Sequence, residues 1–389
     1  MSTQLVPSDL LAKSQKILFI THLALGDYTY LQNFFQAFAK RFPHIEVHIW
    51  VDELRRSSKP ADWVHLKKYA LYDWLAACPF VAKTYDKTYN PALYQASIQE
   101  ARQQQYPLVV SLATLRPHLY AALAREICPT GFVAGMKHEP GLFALHRRWA
   151  YRKLDVGLNP DALTQAGQHI TAIYNGWFNS FFGMSLPAEA RFPFLDIPPQ
   201  WLVASQQQLL QWGFGAASQV AARPVFINPF AKNNKRCWPL SRVVELIQAM
   251  RKLPAWADTC FVVNVVPEQM AATRSYFATQ GLERVKLFSA EENFFQLPAM
   301  LQQCGLIISV ETAVMHLANA VHIPVIALMR QKNPEWAPID EHNSTVVTTL
   351  KRSDWVKAIT AEQITAVLDS AKPHRPAPLF TKFRANLYL

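Results

Sequence analysis

Short apolar runs alternate with amphipathic stretches along most of this chain. Residues 16–21 (KILFIT) form an apolar run that predicts a buried strand. A turn at 22–27 (HLALGD) follows. Over 28–42, Tyr30, Leu31, Phe34, Phe35 and Phe38 recur at helical spacing until Pro43 stops the pattern. Residues 45–51 (IEVHIWV) predict the next strand, which completes one βαβ unit. The alternation goes on with a strand over 108–112, a helix over 117–127 with Pro117 in its first turn, and a short strand over 132–135. Residues 60–106, rich in Trp, Tyr, Lys and Gln, read as helices lining a cleft. Residues 164–183 read as an aromatic-rich helix.

The stretch 186–200 (LPAEARFPFLDIPPQ) holds four prolines and no clear period, which predicts a linker. A second βα series begins at Pro224. It comprises a strand over 225–228, a polar loop to Pro239, a helix over 240–251, a strand over 259–265, a helix over 270–280 and a strand over 285–288. Near the end, 360–370 predicts a helix with Thr360 and Gln363 as its capping box. Strands alternating with helices on both sides of a linker imply two α/β domains with parallel sheets. The expected boundaries are 1–186 for the first domain, 187–223 for the linker and transition, 224–372 for the second domain, and 373–389 for a basic tail packing on the first.

Composition narrows the class. At 389 residues, half of them apolar, the chain is globular and suits two domains. No apolar run approaches the roughly 18 residues that span a bilayer, and the first residues lack an apolar signal core. Five scattered cysteines without metal-ligand spacing read as free thiols of a reducing cytoplasm, with no metal site. The net charge of +11 is spread over both halves, with local clusters at Arg55, Arg56 and Lys59, at Lys67 and Lys68, and at Arg147, Arg148, Arg152 and Lys153. Such a surface favours an anionic partner. Nucleic acid is not expected, because no recognition motif or aromatic-basic platform accompanies the charge. With 12 glycines and no Walker loop, GxGxxG, HExxH or GxSxG, the chain offers nothing to an ATPase, a dinucleotide oxidoreductase, a zincin or an α/β-hydrolase.

The most informative stretch is 308–329, ISVETAVMHLANAVHIPVIALM. It reads as a buried strand, a tight loop at Glu311-Thr312-Ala313, a short helix and a second buried strand. First-turn helix amides lack partners within the helix and carry partial positive charge, so this corner can hold a phosphate. His316 lies four residues after Thr312 and shares its side of the helix.

The stretch resembles a signature of glycosyltransferase family 9, the lipopolysaccharide heptosyltransferases. That family carries an Asp-Thr-Gly loop, then a His-Leu pair, a small-residue helix and an Ile-Pro-Val strand. Here the corresponding residues are Glu311-Thr312-Ala313, His316-Leu317, Ala318-Asn319-Ala320 and Ile323-Pro324-Val325. The resemblance extends to Leu25-Gly26-Asp27 and to the polar loop 228–239, whose basic residues precede Trp238-Pro239. It implies a GT-B-like α/β fold in which two Rossmann-type domains with parallel sheets face each other across a cleft. The acceptor would sit mainly on the first domain and the sugar nucleotide mainly on the second.

By that resemblance Asp27 is the catalytic base. A sugar hydroxyl needs a carboxylate to take its proton as it attacks. Read from its position alone, Asp27 would serve as a helix cap. Arg236, two residues before Trp238, or the adjacent Lys235 would offset the charge of a departing diphosphate; otherwise both are solvated loop residues. Asn228 and Ala231 belong to the same donor-binding loop, as do Thr312, Ala313, Val314, Glu311 and His316 to the later corner. Glu268, after a strand, would accept bonds from ribose hydroxyls or simply occupy a helix's first turn. Arg116 is a candidate for an acidic acceptor, with Arg147 and Arg148 weaker ones.

The expected function is inverting, metal-independent transfer of a sugar, heptose from ADP-heptose, onto a lipopolysaccharide core or related glycolipid. No cofactor is expected beyond the nucleotide-sugar substrate. The expected location is cytoplasmic, peripheral to the inner membrane. The alternatives are a sugar-nucleotide epimerase-type enzyme on the same fold and a non-catalytic sugar-nucleotide-binding protein.

Overall fold

The computed structural model describes residues 4–67, 69–141, 144–165, 167–214 and 223–370. The expected tail 373–389 and Lys68 lie outside them. The chain divides at Pro193 and Phe194 into two compact units, with Pro334–Trp336 grouped with the first.

In the first unit, strands β1 (Lys16–Thr21), β2 (Glu46–Val51), β3 (Lys83–Tyr85), β4 (Leu108–Ser111), β5 (Phe132–Met136) and β6 (Val156–Leu158) form one parallel sheet in the order β3-β2-β1-β4-β5-β6. Its helices are α1 (Ser8–Lys13), α2 (Leu25–Arg41), α3 (Pro60–Lys67), α4 (Ala70–Ala76), α5 (Pro91–Gln103), α6 (Pro117–Ile127), α7 (Leu145–Tyr151) and α8 (Ile170–Phe182). Residues 60–106, which the sequence reads only as helices, also contain the edge strand β3. That strand has just three residues, too few for a visible alternation.

The aromatic stripe of α2 is buried because it meets α8 and β1. Phe19 packs its ring 5.0 Å from Phe35 and 5.5 Å from Phe38, and Phe178 of α8 stacks 5.1 Å from Phe34. All five rings are fully buried, each adding about 1.5–3 kcal/mol of apolar stabilisation. Helix α2 starts three residues earlier than its apolar period does, because Asp27 reaches back to cap its first turn.

The second unit contains β7 (Val225–Asn228), β8 (Phe261–Asn264), β9 (Val285–Phe288), β10 (Leu306–Val310), β11 (Val325–Met329) and β12 (Ser344–Thr348), parallel and ordered β12-β11-β10-β7-β8-β9. Its helices are α9 (Pro199–Gln211), α10 (Leu240–Arg251), α11 (Met270–Ala278), α12 (Gln296–Gln302), α13 (Ala313–Ala320) and α14 (Ala361–Ser370). Counted from its own first strand, each sheet has the order 3-2-1-4-5-6. The direction of winding therefore reverses between β1 and β4 in one unit and between β7 and β10 in the other. Ligands of such sheets bind outside the carboxyl ends of the strands at that reversal.

Two local signals resolve differently. The proline-rich stretch after 186 opens into α9, whose start at Pro199 uses the fixed proline φ at a position that needs no amide donor. The capping box of α14 forms as expected: Thr360 N–H donates to Gln363 Oε1 at 2.9 Å, and Gln363 N–H to Thr360 Oγ1 at 3.4 Å. None of the five cysteines forms a disulfide. Among the described residues no helix is long and apolar enough to cross a membrane.

Candidate functional site

In the second unit the polar residues gather where β7 and β10 end. Asn228, the last residue of β7, sends its amide Nδ2 to Ser309 Oγ and to Thr312 Oγ1, both at 3.0 Å. Its Oδ1 accepts from Asn264 Nδ2 at 2.9 Å. The Asn228 side chain is thus fully engaged within the protein and fixes three strand ends against one another. Thr312 is the N-cap of α13, with extended backbone (φ −147°, ψ 175°), and its Oγ1 accepts from the Val314 amide at 3.4 Å. Ala313 is the first residue of α13 and is not among the residues with positive φ, so this loop needs no glycine. His316 lies one turn on, buried within the helix layer.

Glu311 sits between β10 and α13 and is itself buried. Its Oε1 accepts from Asn333 Nδ2 at 3.1 Å and lies 3.7 Å from the Arg236 guanidinium, while its buried Oε2 has no hydrogen-bond partner. The loop 229–239 is therefore tied to the α13 corner through Arg236. Lys235 points elsewhere: its Nζ lies 5.6 Å from the Trp355 ring, over which Arg330 also stacks at 4.0 Å. Trp238 anchors the loop from below, fully buried, with Nε1 donating to Ile359 O at 2.9 Å. The Ala231 amide donates to Cys237 Sγ at 3.2 Å, which commits it inside the loop. Glu268 lies in the exposed turn Pro267–Gln269, past the end of β8.

The first unit has its own polar cluster at the carboxyl ends of β1 and β2. Asp27 is the third residue of α2 rather than its N-cap. Its Oδ2 accepts from the Ala24 amide at 3.0 Å and its Oδ1 from the Tyr174 hydroxyl at 3.0 Å. Burial pushes its carboxyl above the usual carboxylate range, and these two bonds and the nearby His22 pull partly against that shift. Burial lowers the basicity of His22, with Asp27 and Asp52 opposing. The His22 Nδ1 is buried without a hydrogen-bond partner, and its ring stacks 5.8 Å from Tyr120. The Tyr120 hydroxyl in turn donates to Asp52 Oδ2 at 2.8 Å, and Arg56 holds Asp52 Oδ1 at 2.5 Å.

Arg116 is the N-cap of α6 and adopts a left-handed backbone (φ 53°, ψ 48°), unusual for a residue with a side chain. It is exposed, as are Arg147 and Arg148 on α7. The charges of Arg116 and Arg147 both depress the basicity of His118, after burial.

The structure therefore brings Asn228, Thr312, Val314, Glu311 and Arg236 into one bonded corner. Asn264, Ser309 and Asn333 complete that corner and were not singled out from sequence. Ser309 was the legible one, a hydroxyl inside an otherwise apolar strand. In the first unit His22 and Tyr174 join Asp27. Tyr174 was hidden among the aromatics of α8, where nothing distinguishes a core tyrosine from one that holds a carboxylate.

A family model for glycosyltransferase family 9 (heptosyltransferase) matches residues 189–364. No curated protein matches the chain in sequence. Solved structures resemble it in fold. The glycosyl transferase family 9 protein of Veillonella parvula superposes with a TM-score of 0.69 at 15% identity, covering 91% of this chain and 96% of that one. The E. coli ADP-heptose lps heptosyltransferase II gives 0.64 at 16% identity over 91% and 97%. The E. coli heptosyltransferase WaaC with ADP-2-deoxy-2-fluoro heptose gives 0.60 at 13% over 91% and 99%. These likenesses establish the GT-B-like fold of two parallel-sheet units. The matched residues run from Glu189 to Ile364 and include the whole corner around Asn228, Arg236, Glu311 and Thr312. Over residues 189–364, a little under half of its length, the chain is similar to glycosyltransferase family 9 (heptosyltransferase), and its two units share the fold of the solved heptosyltransferases.

Proposed function

We propose that the protein transfers heptose from ADP-heptose onto a lipopolysaccharide core or related glycolipid, by direct displacement with inversion at the anomeric carbon. One observation carries the reading: Asn228, Ser309 and Thr312 are hydrogen-bonded around the start of α13, and Arg236 is held beside it by Glu311. A diphosphate gains negative charge as its bond to the sugar breaks. A cation and first-turn amides already fixed in place stabilise that charge without reorganising. Arg236 is the better supplier of that charge than Lys235, which lies against Trp355. Glu311 Oε2 offers an acceptor for a hydroxyl of the donor.

Asp27 takes the proton of the attacking acceptor hydroxyl. The new bond forms between that oxygen and the anomeric carbon, and the bond to the diphosphate oxygen breaks. A carboxyl raised above its usual range is a stronger base than a solvent-exposed one. With Arg236 and the α13 amides facing the diphosphate, the proposed reaction uses no metal and no cofactor. One relative in fold, the E. coli heptosyltransferase WaaC, was solved both with ADP and with an ADP-heptose analogue, which favours an adenine diphosphate donor. The acceptor and the peripheral placement at the inner face of the cytoplasmic membrane follow from the same reading.

The test is product analysis with ADP-heptose and truncated lipopolysaccharide cores, beside a thermal-shift series with ADP-, UDP- and GDP-sugars. A heptosylated core of inverted anomeric configuration supports the reading. Epimerised or hydrolysed donor without acceptor would overturn it, as would stabilisation by UDP-sugars alone.

A further inference from the structure

Most large apolar side chains of the first unit are buried, but four on neighbouring helices are not. On α7, Leu145 is 70% exposed and Trp149 is 62% exposed. On α6 and the residue pair leading into it, Leu119 is 53% and Leu115 51% exposed. Single exposed leucines are ordinary on a soluble protein. These are not single. Leu145 and Trp149 stand four residues apart, hence on one face of α7, whose other face buries Ala150 and Tyr151. Leu115 precedes α6 and Leu119 lies in its first turn. The two helices touch: the His118 and His146 rings meet edge to face at 5.8 Å.

The charge around these residues has one sign. The segment 144–153 (ALHRRWAYRK) has four Arg or Lys and no Asp or Glu. Arg147, Arg148 and Arg152 are exposed, and Lys153 lies over the Trp149 ring at 4.4 Å. An apolar stripe bordered by arginines, with a tryptophan whose ring carries a cation, matches the boundary between acyl chains and anionic headgroups. A protein partner of opposite charge would not need the apolar stripe, and a second copy would bring the same positive charge against itself.

We propose that the α6–α7 face docks on the surface of an anionic lipid bilayer, with Leu145 and Trp149 entering the headgroup layer and Arg147 and Arg148 pairing with lipid phosphates. Both helices leave the carboxyl edge of the sheet that also carries Asp27, so docking would bring that edge toward the lipid. Arg147 and Arg148 then serve the membrane rather than the reacting sugar. The proposal deepens the glycolipid reading and rests on it only for its purpose, since docking itself needs no acceptor.

The experiment is co-sedimentation of the full chain with vesicles free of glycolipid, made of phosphatidylethanolamine with phosphatidylglycerol or of phosphatidylcholine alone. The wild type should pellet with the anionic vesicles, be released by high salt and stay off phosphatidylcholine. Leu145→Ser with Trp149→Ser, and separately Arg147→Glu with Arg148→Glu, should each weaken partitioning by about tenfold or more. Circular dichroism checks that each variant folds, and the charge variant stands alone if the apolar one does not. The apolar variant should keep the wild-type rate on a delipidated core oligosaccharide, which tests the transferase reading independently. The proposal is overturned by a wild type that ignores anionic vesicles, by variants that partition like the wild type, or by a dimer in light scattering that Trp149→Ser dissociates.

Discussion

The Tyr174 hydroxyl donates to Asp27 Oδ1 at 3.0 Å, joining α8 to the head of α2 across 147 residues of chain. The bond favours the ionised carboxylate and opposes the effect of burial on Asp27. It also orients the carboxylate, whose other oxygen is held by the Ala24 amide. If Asp27 is the base, it must be ionised to act, so turnover falls as the pH drops through its pKa. Tyr174→Phe removes a stabiliser of the anion, which raises that pKa further. The acidic limb of the kcat/KM profile should therefore move to higher pH in Tyr174→Phe, with a plateau rate reduced far less than in Asp27→Ala. Loss of the base itself should lower kcat by about 10²–10⁴-fold while ADP binding persists. A pH–rate series on both variants checks the pair; an unmoved limb in Tyr174→Phe would show that another group titrates.

The same raised pKa has a consequence for stability. The folded value lies above the ordinary 3.8, so the native state prefers the protonated group. The stability this contributes is fully present below the unfolded pKa and is lost as pH rises through the folded one. At neutral pH the ionised Asp27 therefore costs stability. Asp27→Asn, which resembles the protonated form and can still accept one of the two bonds, should melt at a higher temperature than the wild type near pH 7. The difference should shrink toward pH 3.5. Melting curves at the two pH values decide it, and equal shifts at both would mean that the carboxyl is not perturbed by burial.

How much of this was legible before the fold was known follows from the range of the interactions. Strands such as Lys16–Thr21 and Val225–Asn228 announce themselves because a central parallel strand is buried on both faces and reads as an apolar run. The edge strands β3 and β6, three residues each, carry no such run and were not foreseen as strands. The Thr312 cap was legible as a local motif. The closure of Asn228 on Ser309 and Thr312 spans more than 80 residues and depends on sheet order, which no spacing encodes. The choice between Lys235 and Arg236 also waited on tertiary contacts, those of Trp355 and Glu311.

That choice yields a kinetic expectation. Arg236 lies 3.7 Å from Glu311 at the α13 corner, whereas Lys235 lies against Trp355. If the guanidinium meets the diphosphate, Arg236→Ala should lower kcat by about 10²-fold, the usual effect of removing one charge-stabilising donor. Lys235→Ala should cost less than about tenfold, by the weaker action of a charge that is not aimed at the reaction. Arg236→Lys should recover only part of the loss, because a point charge does not reproduce the planar fork. Steady-state kinetics on the three variants separates the residues, and a larger effect at Lys235 than at Arg236 would reverse the assignment.

Arg116 offers a way to separate backbone from side chain at the expected acceptor position. Its φ of 53° is one that glycine reaches without penalty and a residue with a Cβ reaches at about 1–2 kcal/mol. The next residue is Pro117, whose ring disfavours the ordinary helical conformation for Arg116, so relaxation into that region is closed. Arg116→Gly should therefore stabilise the protein, by about 1 kcal/mol after the extra freedom of the unfolded chain is counted against it. Arg116→Ala keeps the strain and removes the same charge, and should give no comparable gain. If Arg116 meets an anionic acceptor, both variants should raise KM for that acceptor by about tenfold through a lost charged hydrogen bond, regardless of their different effects on melting. Denaturant melts paired with acceptor titrations measure the two effects apart. A glycine variant no more stable than the alanine one would show that the left-handed backbone at Arg116 is not strained.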